Sequence, residues 1–234
     1  MKAFGKIAAL ALTLAMALVL TACGGSGSSS SASASSGSAA ASSSAVSVSA
    51  AEAGFERGAI QGDTYTNELF AVQFVLPEGF AFLDDEQMAS LNEAIGTVLS
   101  DDDVLAALES GTVYYDMAAA AEDGANINVV ITYAGTPEAE AIDAAGFLKA
   151  SETQLKSQLE AANMKLGDIE FGTYVNAKTG DEFPSMKLSV EAQGATLYEE
   201  MVCLKAKDYF MLATASSLDE AQIAPILENL TLVK

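Results

Sequence analysis

Residues 169–214 read IEFGTYVNAKTGDEFPSMKLSVEAQGATLYEEMVCLKAKDYFMLAT, and this stretch decides the fold. Ile169, Phe171, Thr173 and Val175 recur at every second position before the turn signal Lys178-Thr179-Gly180-Asp181, and Met186, Leu188 and Val190 do so after it. A period of two is that of a strand with one face toward a core. Gly194 and then Lys207-Asp208 punctuate two further strands, expected over 196–205 and 209–214. Strands joined by short turns pair with their neighbours in antiparallel fashion, so this third of the chain is a meander.

Outward from the meander the pattern alternates between sheet and helix. Ser217-Leu218-Asp219-Glu220 has the form of a capping box, and Ile223, Ile226, Leu227 and Leu230 follow at helical spacing, with Pro225 expected to kink this helix or delay its start. Toward the N-terminus, Leu148, Leu155, Leu159 and Ala162 form one helical stripe, in a segment whose start is signalled at Thr136-Pro137-Glu138. Two strands, 113–117 and 127–133, flank Glu122-Asp123-Gly124 as a hairpin. Before them stand two short helices, one opened by Asp84 with Gln87 three residues on, the other by Ser100 with Asp101, Asp102 and Asp103 in its first turn. The stretch 64–76, with Phe70, Val72, Phe74 and Leu76 on one face, reads as a strand with a turn near Asn67, ending at Pro77-Glu78-Gly79. The expected fold class is α+β, a mainly antiparallel sheet with helices packed on it.

Tyr65-Thr66-Asn67, Phe70 and Phe74-Val75-Leu76-Pro77-Glu78-Gly79-Phe80 resemble the opening of bacterial lipoproteins with a PsbP-like domain, and the strand from Tyr209 leading into a capped final helix resembles their end. The resemblance runs over 58–234 and implies an α/β/α sandwich. It also implies recruitment as a binding or assembly module and carries no particular binding residue with it.

The chemical inventory excludes more than it selects. The chain has no histidine, so Ser-His-Asp and Cys-His catalysis and the common histidine-containing zinc sites are out of reach. Its two cysteines are Cys23 and Cys203; Cys203, beside Val202 and Leu204 in an expected strand, reads as a small core residue. The acid runs Asp84-Asp85-Glu86 and Asp101-Asp102-Asp103 lack the alternating spacing of a calcium loop. Adjacent residues diverge by about 100° on a helix, so these acids read as helix N-terminal charges. Tyr114, Tyr115, Tyr133, Tyr174, Tyr198 and Tyr209 brace a sheet or, if several shared a side, would line a groove. Gly24-Gly25 and Gly27 precede no strand-to-helix turn, which argues against a phosphate loop. No catalytic residue, no metal ligand and no cofactor site is expected.

The N-terminus carries an address. Lys2 and Lys6 precede an apolar run over 7–20 of about 14 residues, short of the roughly 20 a bilayer span needs. Leu20-Thr21-Ala22-Cys23 follows, an arrangement that resembles the lipobox of bacterial lipoprotein signal peptides. In that family the cysteine sulfur receives a diacylglyceryl group and the peptide is cut before it. Bulky Leu20 stands where an ordinary signal peptidase site has a small residue, which favours the lipidated reading. Two acyl chains, at about 0.8 kcal/mol per buried methylene, anchor durably where one is marginal. Residues 24–51 are almost entirely Ser, Ala and Gly, a composition that cannot offset the entropy of ordering and that reads as a tether reaching roughly 30 Å.

The expected organisation is a signal peptide over 1–22, lipidated Cys23 and a tether over 23–54, and a single domain over 55–234. Cleavage before Cys23 removes Lys2 and Lys6 and no acid, two positive charges, and takes the formal net charge from −21 to −23. So acidic a chain disfavours nucleic acid and anionic headgroups and favours cationic partners. The function expected is therefore that of a lipid-anchored lipoprotein on the extracytoplasmic face of the cell membrane, a non-catalytic binding or assembly module for an envelope protein. Two alternatives stand beside it: a surface receptor for a small solute, and a carboxylate-based hydrolase with paired acids about 5 to 9.5 Å apart in a cleft.

Overall fold

The computed structural model describes residues 57–94, 113–133, 141–162, 164–192 and 194–233. Strands β1 (Ala59–Gln61), β2 (Thr64–Asn67) and β3 (Val72–Val75) open the described chain. The stretch 64–76 is thus a hairpin, with the turn expected near Asn67 in place: the Phe70 amide donates to Asn67 Oδ1. The chain reverses at 68–71, where the Ala71 amide donates to the Glu68 carbonyl and Ala71 takes a φ of 50°, unusual for a residue with a Cβ. Phe70 in this turn is buried along with Val72 and Phe74, so the apolar alternation runs through the reversal.

The main sheet has seven strands: β4 (Phe80–Phe82), β5 (Val113–Ala121), β6 (Asn126–Tyr133), β7 (Lys165–Val175), β8 (Glu182–Ala192), β9 (Ala195–Ala206) and β10 (Tyr209–Ser217). Their order is β4-β5-β6-β10-β9-β8-β7, and every neighbouring pair is antiparallel. The hairpin at Glu122-Asp123-Gly124 and the turns after β7, β8 and β9 fall where the sequence signals them. Gly194, at a φ of 84°, supplies the backbone that the β8–β9 turn needs. In the turn after β7, Asn176 Oδ1 accepts from the Lys178 and Thr179 amides, while its Nδ2 donates to the Glu228 and Leu230 carbonyls and ties the turn to the C-terminal segment.

Helix α1 (Asp85–Ala94) has the anticipated capping box: the Gln87 amide donates to Asp84 Oδ1, and the Asp84 amide to Gln87 Oε1. Helix α2 (Ala144–Ala161) buries Phe147, Leu148, Leu155 and Leu159; Ala162, expected on the same stripe, lies past the helix end and is exposed. A 3-10 turn (Glu220–Gln222) leads into α3 (Ile223–Leu227). Its cap is Asp219, whose side chain accepts from the Ala221 amide, and the Ser217 hydroxyl bonds Gln222 instead of capping. Pro225 falls within the first turn of α3, where a missing N–H costs nothing. The final helix is five residues long, and Leu230 belongs to β11 (Leu230–Leu232), opposite Phe74 in the four-stranded sheet β1-β2-β3-β11.

The main sheet is covered on both faces. On one, α2 packs on Met186, Leu188, Val190, Met201, Cys203, Phe210 and Leu212, and α1 sets Met88 and Leu91 against Tyr115 and Val130. On the other, the small sheet and α3 enclose Tyr114, Ile127, Val129, Ile131, Val202, Met211 and Ala213. The layers are helices, central sheet, and a small sheet with a short helix, an α+β fold built mainly of antiparallel strands. In β7 the alternation holds but its cover ends: Ile169 and Phe171 pack toward α2, Thr173 and Val175 on the same face are exposed, and Tyr174 is buried against the opposite cluster. The second expected helix (from Ser100), the helix start at Thr136, Cys23, the leader and the tether lie outside the described residues.

Candidate functional site

Glu199 and Glu200 stand side by side on β9, an interior strand. Side chains on a strand alternate between faces, and both faces of this sheet are covered, so both acids are buried, each 2 % exposed. A buried carboxylate is costly unless partnered, which marks this pair as the chemically unusual point of the molecule.

Glu200 faces the layer of α3. Register sets Glu170 of β7 opposite Lys187 of β8, and Lys187 opposite Glu200, an acid–base–acid row across three strands. Lys187 Nζ lies 3.6 Å from Glu200 Oε2, with the lysine side chain 58 % exposed. Burial pushes the Glu200 carboxyl above its ordinary pKa, and the Lys187 ammonium and Ser185 hydroxyl pull it partly back. Its Oε1 is buried and has no hydrogen-bond partner. The row opens into a groove of about 240 Å³ between the sheet and the segment carrying α3, where Asp168 and Glu220 join Glu170 and Glu200. The remaining lining is Leu188 and Ser189 of β8, Tyr198 and Glu199 of β9, and Ile223 and Ala224 of α3. Of the five acids in this lining Glu199 turns its side chain to the other face, and the remaining four stand against one base, Lys187.

Glu199 faces the opposite way. Its Oε1 accepts from the Ser216 hydroxyl at 3.0 Å, its Oε2 has no partner, and burial pushes its pKa up to about 7. On the same face lie Asn126 and Asn128 of β6 and Thr214 and Ser216 of β10, which register places beside one another. Asn126 Oδ1, both side-chain polar atoms of Asn128 and Thr214 Oγ1 also lack partners. Polar side chains here replace the apolar ones that α2 covers further along the same strands.

A third buried acid is fully partnered. At a β-bulge in β5, Asp116 is the extra residue between the Tyr115 and Met117 registers. It accepts from Tyr65 Oη at 2.6 Å, Asn67 Nδ2 at 3.0 Å and the Gly58 amide at 2.9 Å. Burial raises its pKa and these donors oppose the rise. Gly58 is required by proximity: a Cβ there would sit 2.1 Å from Tyr65 Cε2. This network joins the small sheet to the main one. A second recess, of about 640 Å³, lies between the Pro77–Phe80 turn, the β5–β6 turn and α3, where Gln222 Nε2 donates to Asp123 Oδ2.

Cys203 is fully buried under α2, and burial pushes its thiol up, the behaviour of a core residue. Asp84 caps α1, and Asp85 and Glu86 occupy its first turn; Asp101, Asp102 and Asp103 lie outside the described residues. Five of the six tyrosines share a side: Tyr114, Tyr174 and Tyr209 are buried in one core and Tyr133 and Tyr198 pack against it, while Tyr115 belongs to the opposite face; of the six, Tyr198 lines the acidic groove. Among the described residues no three His, Cys, Asp or Glu side chains are grouped to hold a metal, and no helix is long and apolar enough to cross a membrane. Sequence reasoning missed Glu199, Glu200 and Asp116. For Glu199 a signal existed, since it interrupts the apolar set Leu197, Met201 and Cys203 on one face of β9. No protein-family model matches the chain, and no match is found among curated proteins.

Proposed function

We propose that the chain is a bacterial lipoprotein, anchored by lipid on Cys23 at the extracytoplasmic face of the cell membrane, whose PsbP-like domain is a non-catalytic binding or assembly module. Leu20-Thr21-Ala22-Cys23 behind an apolar run supports the anchor, and the Ser/Ala/Gly segment 24–51 supports a domain held clear of the lipid. The antiparallel central sheet with helices on one face, and β10 leading through a capped turn into a short helix, support the PsbP-like reading. The observation that carries the binding role is the acidic groove: it collects four carboxylates from three elements, β7, β9 and the turn before α3, with Glu200 the buried, under-partnered member.

The same groove holds one feature that favours a second reading, a carboxylate hydrolase: an acid with a raised pKa beside other acids. It differs from a solute receptor in size, being smaller than the roughly 300–1,000 Å³ of drug-sized ligand sites. Retention of envelope proteins by the tagged full-length chain in detergent-solubilised membrane separates the readings. The binding module retains a partner in stoichiometric amount and releases it at high salt. Retention of nothing, together with turnover of a glycoside or ester that is lost in Glu200→Gln, assigns the hydrolase instead.

A further inference from the structure

We propose that the groove between the β7–β9 face and α3 binds an organic cation, an ammonium or guanidinium group on an aliphatic stem. The proposal rests on the binding-module reading and names the chemistry that the module recognises. A cluster of acids alone would be a solvated surface. Glu200 makes it more than that, because its carboxylate is 2 % exposed and, although Ser185 and Lys187 serve the group, its Oε1 is left buried with no donor. Its one charged neighbour, Lys187, stands at 3.6 Å, longer than a charge-assisted hydrogen bond, on a half-exposed side chain free to swing outward. An incoming donor therefore gains a desolvated acceptor on Glu200 and the charge of Asp168, Glu170 and Glu220, which Lys187 alone among the lining residues offsets.

The lining also selects the kind of cation. Calcium takes six to eight oxygen ligands around one centre, whereas among the described residues no three acids are grouped closely enough to hold a metal. The carboxylates here are spread around a wall that includes the Tyr198 ring, Ile223 and Ala224. That wall suits methylenes and a charge set against an aromatic face. At about 240 Å³ the groove takes one side chain or one short diamine, not a large metabolite.

Calorimetric titration of the full-length chain in neutral detergent tests this with two probes, 1,5-diaminopentane and a terminally blocked Gly-Gly-Lys-Gly-Gly peptide. At least one probe binds at low salt, and Glu200→Gln and Glu170→Gln each weaken it about tenfold, while Glu86→Gln, the same charge change on exposed α1, weakens it less than twofold. Tighter binding of the peptide assigns a protein side chain as the source, and tighter binding of the diamine assigns a free polyamine. The exposed Glu170 keeps the test valid should Glu200→Gln fail to fold. Absence of binding by both probes, or equal weakening by Glu86→Gln, overturns the proposal. If the full-length chain retains an envelope partner that Glu170→Gln and Glu200→Gln leave unaffected, the groove assignment falls and the binding module stands.

Discussion

Glu199 couples the stability of this protein to pH. Its folded-state pKa of about 7 lies above the ordinary 4.5, because burial penalises the anion and Ser216 supplies only one hydrogen bond. A raised carboxyl pKa means that the folded state holds the proton more tightly, so the stabilisation is complete below pH 4.5 and disappears as pH rises through 7. Asp116 and Glu200, also raised by burial, act in the same sense, and Asp123, lowered chiefly by the Ala125 amide, acts in the opposite one. Thermal melts should rise by several degrees from pH 8 to pH 5. Glu199→Gln, which mimics the protonated side chain, should flatten that rise and add up to about 3 kcal/mol at pH 8. A Glu199→Gln melt with the wild-type slope would assign the pH dependence elsewhere. At Asp116 the expected sign is reversed: Asp116→Ala strands the Tyr65 hydroxyl, the Asn67 amide and the Gly58 N–H, and should cost about 3 kcal/mol or more in denaturant unfolding at pH 7.

At the scale of elements, caps and stripes give smaller and more separable effects. Asp84→Ala removes the acceptor for the Gln87 amide at the start of α1 and should cost about 1 kcal/mol. Leu155→Ala, fully buried between α2 and the sheet, should cost about 2–5 kcal/mol by leaving a cavity. Equal costs for the two in urea titration would contradict the placement of the core. The elements were legible in proportion to how local their causes are. Alternation in β8 and the Asp84–Gln87 cap rest on residues within a few positions of each other, and both read correctly. The β2–β3 reversal was legible in its place, near Asn67, whose Oδ1 accepts from the Phe70 amide, but not in its form, because Ala71 takes a positive φ without being Gly or Asn. Leu230 falls at helical spacing from Ile226 and Leu227, yet its burial comes from pairing with Phe74, more than 150 residues earlier.

The whole molecule explains why the candidate site was the least legible part. Glu170, Lys187 and Glu200 are neighbours only because two turns fix the registers of three strands, and Glu220 joins them only because α3 folds back over that face. No spacing along the sequence announces such a meeting. The address at the N-terminus has the opposite character: Lys2, Lys6, the apolar run and Cys23 are contiguous and need no fold to be read. If the address is right, Cys23→Ala moves the chain from the membrane fraction to the soluble one without changing its melting temperature, since Cys23 lies more than 30 residues before β1.

Intact mass spectrometry of the mature chain extracted from membranes tests the central claim most directly. The account predicts a chain that begins at Cys23 and carries a thioether-linked diacylglyceryl group on its sulfur. A free thiol at Cys23, or a mature chain that starts at any other residue, would contradict it.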